Sequence, residues 1–312
     1  MDPLEHGDGE ITRARLQALM ERRDGPALAR LAIQLVSLIT ALLVTTWLAS
    51  DDDPRWIVAV IVAAIALVGF FPALHESGHR HAFRRDWLNQ LGAWLGAALM
   101  LQAPSFFREF HWQHHRATQD PTRDPEISGA AALLDDWPRG LLHYLLLASG
   151  QLLMVGKALL TFACAITPRG QWDRFAPYIR PERRARVAWE SRLVAALIVV
   201  VVGVGPRVIP GLGHALLAWP FMHVLLGVFL MPEHTGLAHD GSQLRRTRTI
   251  YTSALVRFWM WNMPYHAEHH AHPAIPFHAL PALHRELAPA LCNVSRGYLG
   301  FHREALRRAL RG

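Results

Sequence analysis

Four stretches of this chain are long and apolar enough to cross a lipid bilayer, and no other feature constrains its fold as strongly. The hydrocarbon core of a bilayer asks for about 20 apolar residues and accepts as few as ~17. Leu31 to Ala49, Trp56 to Leu74, Leu193 to Ile209 and His214 to Met231 meet that requirement. Inside lipid each segment must satisfy its own backbone polar groups, so these stretches are expected as helices. The composition agrees, with 51% of residues apolar and 18% charged, where a soluble domain carries nearer about 25% charge. Two further apolar stretches, Leu88 to Ala103 and Leu141 to Ile166, are expected as interfacial or partly inserted segments, or as one span each.

Arginine placement orients the chain, because cytoplasmic flanks collect positive charge near span ends. Arg13, Arg15, Arg22, Arg23 and Arg30 precede the first span, and the turn after it, Asp51-Asp52-Asp53-Pro54-Arg55, is poor in cations. The second span then returns the chain to the cytoplasmic side at His75. A second cluster, Arg169, Arg174, Arg180, Arg183, Arg184, Arg186 and Arg192, belongs on that side too. The last two spans form a hairpin about Pro210 to Gly213 and deliver Glu233 and His234 to the same face. The first 25 residues are polar with both signs of charge, so no signal peptide is expected. The net charge of +7 is accounted for by arginines that set topology and touch anionic lipid. No nucleic-acid-binding pattern accompanies them.

The chain holds 19 histidines and two cysteines. That ratio excludes a disulfide scaffold, a cysteine zinc cluster and a cysteine-ligated iron–sulfur centre. The histidines are grouped. His75 and His79 lie four residues apart at the end of the second span, and His111-Trp112-Gln113-His114-His115 and His266-Ala267-Glu268-His269-His270 repeat the pattern HxxHH. Positions i, i+3 and i+4 share a helix face, so each box can aim its imidazoles at one point. With His234 these make nine candidate ligands on one side of the membrane. Nine are too many for one tetrahedral zinc and suit two metal ions, with iron, copper, zinc and nickel all compatible with neutral imidazole. Glu76, Asp120, Asp124, Glu126 and Glu268 lie near the boxes and can accept an outer ring N–H. Asp120-Pro121 and Asp124-Pro125 can equally be turn formers. His239 stands beside His234 as an alternative ligand or supporting residue.

Two other classes compete. His75-Glu76-Ser77-Gly78-His79 is literally HExxH, the zinc-protease motif, but a protease gives no reason for two HxxHH boxes. A metal transporter would carry its ligands within the spans rather than at their ends.

The order HxxxH, HxxHH and late HxxHH, separated by membrane hairpins, resembles the membrane-bound fatty acid desaturase and hydroxylase superfamily over residues 70–301. His111 through Arg116 with Asp120 to Glu126, and Asn262 through His278, are most similar to a bacterial branch of acyl desaturases, hydrocarbon oxygenases and fatty acid decarboxylases that form terminal alkenes. The resemblance implies an all-α integral membrane enzyme with four transmembrane helices in two hairpins, interfacial helices and a cytoplasmic histidine-rich cap in the inner membrane. It implies two non-haem irons on His75, His79, His111, His114, His115, His234, His266, His269 and His270, with O2 as co-substrate. A fatty acyl chain is the expected substrate and desaturation the expected reaction, with hydroxylation and decarboxylation as alternatives. No haem or rubredoxin domain is visible, so a separate ferredoxin- or rubredoxin-like donor with its reductase is expected to supply electrons. The expected division is an N-terminal arm (1–27), the membrane di-iron domain (28–301) and a basic tail (302–312).

Overall fold

The structure is a computed structural model that describes residues 11–128 and 137–311. Among these residues the chain is almost wholly helical. A short amphipathic α1 (Arg13–Leu19) leads into α2 (Asp24–Ser50), the first span. Beyond the turn at 51–55, α3 (Trp56–Val68) and α4 (Phe70–His79) run as one 24-residue apolar rod. Next come α5 (Asp86–Leu99) and α6 (Pro104–Ala117). After them α7 (Leu141–Ala148) and α8 (Gln151–Ile166) meet at 55°, the geometry of a broken span or a re-entrant loop. The short α9 (Trp172–Phe175) precedes α10 (Pro181–Ile198), which continues through a π-helical turn into α11 (Gly205–Val208) as the third span. The fourth span is α12 (Leu212–Ala215) and α13 (Ala218–His234).

The rest of the chain caps the bundle. It comprises α14 (Gln243–Arg246), α15 (Ala254–Trp259), α16 (His266–Ala271), α17 (Leu280–Leu287) and α18 (Tyr298–Arg311). A two-residue parallel pairing of Thr249–Ile250 with Val294–Ser295 ties the ends of this cap together. The boundary expected at 301/302 falls inside α18, which packs on α7 and α13 through buried Phe301, His302 and Ala305.

The spans carry apolar side chains on their outer faces. Leu43 and Val58 are 65% and 66% exposed, and Val36, Val62, Leu193 and Val202 are exposed as well. A patch of that size is costly in water and normal against lipid tails. The inner faces build one apolar core in which Val60, Leu67, Phe70, Phe71, Met100, Phe107, Met222 and Leu226 are buried together, directly beneath the histidines of α4 and α6.

Two polar contacts and one glycine bend fix how the helices of the bundle pack. Gln34, buried in the first span, donates to the Trp259 carbonyl at 2.8 Å and accepts from Trp261 Nε1 at 3.1 Å. Gly69 makes room for it, because a Cβ there would lie 2.3 Å from the Gln34 amide nitrogen. Glu190 of α10 accepts from the backbone N–H and hydroxyl of Ser105 at 2.7 and 2.9 Å, placing a carboxylate at the amino end of α6 where the helix dipole favours it. Gly150, at φ +64°, bends α7 into α8 so closely against α13 that a Cβ would overlap the His223 carbonyl.

Candidate metal centre

The nine box histidines converge in two groups. His75, His79, His111, His115 and His269 form one; His114, His234, His266 and His270 form the other. Within each group one ligand atom per residue lies within 4.8 Å of all the others. The groups abut, with the His115 and His270 rings stacked at 4.1 Å between centroids. Helical spacing explains the division. On α6, His111 and His115 sit one turn apart and serve the first group, while His114 is rotated away to the second. The same rotation on α16 separates His269 from His266 and His270. The end of α4 supplies His75 and His79, and the end of α13 supplies His234.

Buried contacts hold the rings. Glu76 Oε1 lies 3.1 Å from His75 Nδ1, and both Asp124 oxygens lie 3.0 Å from His114 Nδ1. The His234 Nδ1–H donates to the Arg246 carbonyl at 3.2 Å, and His270 Nδ1 is 3.3 Å from the Thr118 hydroxyl. Glu233, buried beside His234, stands 3.7 Å from His266 Nδ1. Such partners set the tautomer and turn the other ring nitrogen toward the centre.

The inward nitrogens crowd one another. His79 and His115 Nε2 lie 2.9 and 3.0 Å from His111 Nε2, His269 Nε2 is 3.2 Å from His115 Nε2, and the His234 and His266 Nε2 atoms are 2.9 Å apart. The buried Nε2 atoms of His75 and His270 have no hydrogen-bond partner among the described residues. A neutral imidazole carries one donor and one lone pair, so converging nitrogens cannot all satisfy each other, and buried groups without partners are expensive. A cation in each group answers both demands. Burial, followed by the neighbouring imidazoles, holds His111, His115, His266 and His270 well below the usual histidine range and pushes His269 down to about 3. These rings are therefore neutral at ordinary pH, the form that binds metal. For His114 burial acts in the same direction, but Glu126 and Asp124 outweigh it and raise its basicity.

The other expected supporting residues divide. Asp124 orients His114, and it also accepts from the backbone of Gln119 and Glu126. The Glu126 carboxylate is 3.6 Å from the same ring. Asp120 only shapes its turn, accepting from Thr122 and Arg123. Glu268 faces away from both groups and bonds His284 and Thr249. His239 lies outside both groups, with Nδ1 2.9 Å from the Gln119 carbonyl oxygen. Glu76 is engaged on both oxygens, since Oε2 accepts from the Phe277 N–H at 3.0 Å, so it is not free to serve as the base of an HExxH protease. Sequence reasoning missed Glu233, whose only signal was adjacency to His234. It also missed Thr118 and the Arg246 carbonyl, which carried no signal at all. Beside the second and third boxes Gln119, Trp261 and Asn262 adopt φ of 62°, 49° and 60°, unusual for non-glycine residues.

Comparison with known proteins agrees with this geometry. The chain is 22% identical over 234 residues to the Delta(8)-fatty-acid desaturase of Euglena gracilis, a match covering 67% of this chain and 55% of that protein. The chain thus spans about half the length of that curated relative. The sequence model described as fatty acid desaturase matches residues 54–301, a region that holds the three spans after the first and every one of the nine clustered histidines. By that match the chain belongs to the fatty acid desaturase family.

Proposed function

We propose that this protein is an oxygen-dependent, non-haem di-iron oxidoreductase that desaturates a fatty acyl chain at the boundary of a bacterial inner membrane, with its centre on the cytoplasmic side. The observation that carries this reading is the convergence of nine imidazoles, eight buried and that of His234 half-buried, into two abutting groups of five and four. His75, His79, His111, His115 and His269 would hold one iron, and His114, His234, His266 and His270 the other. The iron pair, when bound, supplies the oxidising power to break an unactivated C–H bond, which no amino-acid side chain provides.

The chain's own residues do the positioning. Glu76, Asp124 and the Arg246 carbonyl keep a proton on the outer nitrogens of His75, His114 and His234, which leaves the inner nitrogens free to bind metal. Phe71 stands 6.4 Å from the His75 ring and Phe107 stacks on His111 at 5.2 Å, so the face of the first group that looks into the membrane is lined by aromatic rings, with the Lys157 ammonium 5.7 Å from the Phe71 ring. An acyl chain brought along that face would present its methylenes to the centre, and its depth would select the carbon that reacts. Electrons would come from a separate ferredoxin- or rubredoxin-like protein and its reductase.

The test is product analysis by mass spectrometry, using purified protein, saturated fatty acids or their thioesters, and a ferredoxin with its reductase. A new internal double bond is expected. An alcohol or a one-carbon-shorter alkene would replace desaturation by hydroxylation or decarboxylation. His269→Ala should abolish oxygen-dependent turnover while the protein still inserts into the membrane; retained turnover would remove His269 from the centre.

A further inference from the structure

Behind the histidine centre, on the opposite side of α4, a half-open cleft lies between the ends of α4, α5, α6 and α10. Ser77, Arg80, Trp94, Arg108, Arg183 and Arg186 are among the residues that line it. Its charge is unbalanced. Glu109, the acid in its wall, is held by Arg180 through two bonds of 2.7 and 2.8 Å, and Arg186 is paired with Glu190 at 2.7 Å. Among the described residues no carboxylate lies within ion-pair distance of Arg80, Arg108 or Arg183. Ser77 is 3% exposed and its hydroxyl has no hydrogen-bond partner among those residues. Three free guanidinium forks and an unsatisfied hydroxyl around one cleft form a site for an anion with several oxygens, since arginine grips phosphate by paired N–H bonds.

The surroundings select the source of that phosphate. Arg80 directly follows the second span and Arg183 and Arg186 open the third, so the cleft sits where the membrane meets water. Trp94 packs edge-on against Trp189 at 6.3 Å. Trp87, Leu91, Trp189 and Leu193 are exposed next to the cleft. Tryptophan prefers the headgroup level of a bilayer, and the exposed leucines continue the surface toward the acyl tails.

We infer that this cleft binds the phosphate headgroup of an anionic membrane lipid, with its tails lying along α5 and α10. The site does not depend on the reading of the histidine groups, and its test needs no turnover. The full chain is placed in nanodiscs of phosphatidylcholine with a minority of phosphatidylglycerol. Retained lipid is read by native mass spectrometry, and contact by electron paramagnetic resonance of spin-labelled phosphatidylglycerol. The unaltered protein should retain phosphatidylglycerol in preference to phosphatidylcholine. The pair Arg108→Gln and Arg183→Gln should weaken that preference about tenfold, as expected for lost charged hydrogen bonds. Arg108→Lys with Arg183→Lys, which keeps the charge and loses the fork, should fall between, and a control pair on α18, Arg303→Gln and Arg307→Gln, should leave the preference intact. An unchanged preference in the glutamine pair, or an equal loss in the control pair, would overturn the site. So would retention of inorganic phosphate without phosphatidylglycerol.

Discussion

At the residue scale the centre depends on side chains that never face it. Asp124 holds His114 with both oxygens while also bonding two backbone amides. Changing Asp124→Asn keeps its shape and removes the charge. Outer-shell partners of metal-binding histidines typically contribute 10–100-fold in metal affinity, so iron content measured by plasma mass spectrometry after mild chelation should fall by about 10-fold or more. Asp120→Asn, four residues earlier, touches only its own turn and should leave the iron content unchanged. The sequence offered both aspartates on equal terms, each followed by proline. Which one reaches a histidine depends on how the 118–128 turn folds back on α6, and that path has no signature in residue spacing.

At the element scale the amino end of α10 is clamped to α6 by the Glu109–Arg180 pair. Burial raises the Glu109 carboxyl, but the hydrogen bonds and charge of Arg180 outweigh it, and the net position is below the ordinary value of 4.5. A carboxylate lowered on folding contributes stability that is present above its unfolded value and is lost as pH falls through the folded one. Below about pH 4.5 the thermal midpoint of the unaltered protein should therefore drop more steeply than that of Glu109→Gln, and the two curves should converge at the acid end. At neutral pH the variant should melt lower by a few degrees at most, because Arg180 is half exposed and solvent screens the pair. The four spans were legible as elements because lipid demands uninterrupted apolar length. Their ends were not, since the helices run on past the apolar stretch: the second span continues to His79 and the third begins at Pro181. This extension is what carries the histidines and arginines out to the membrane boundary.

At the scale of the whole molecule, two histidine groups draw on four separated segments, so metal should act as a cross-link between the bundle and its cap. A ligand that binds only the folded state stabilises it by about 2.7 kcal/mol at a hundredfold excess over its dissociation constant. Removing iron with a chelator should lower the thermal midpoint and refilling should restore it; an unchanged midpoint would mean that the cap is held by packing alone. The quantity of iron in the refilled protein is expected near two per chain. The sequence by itself determined the membrane character, the helical class and the nine histidines, because apolar length and i, i+3, i+4 spacing are local properties that each segment carries alone. Only the tertiary structure decided how those nine divide into five and four. It also decided that Glu233, Thr118 and the Arg246 carbonyl stand behind the rings, that Glu268 turns to His284 and Thr249, and that His239 lies outside both groups. Those assignments depend on rotation of one helix against another and on the course of the backbone between helices, and both are settled by packing over the shared apolar core.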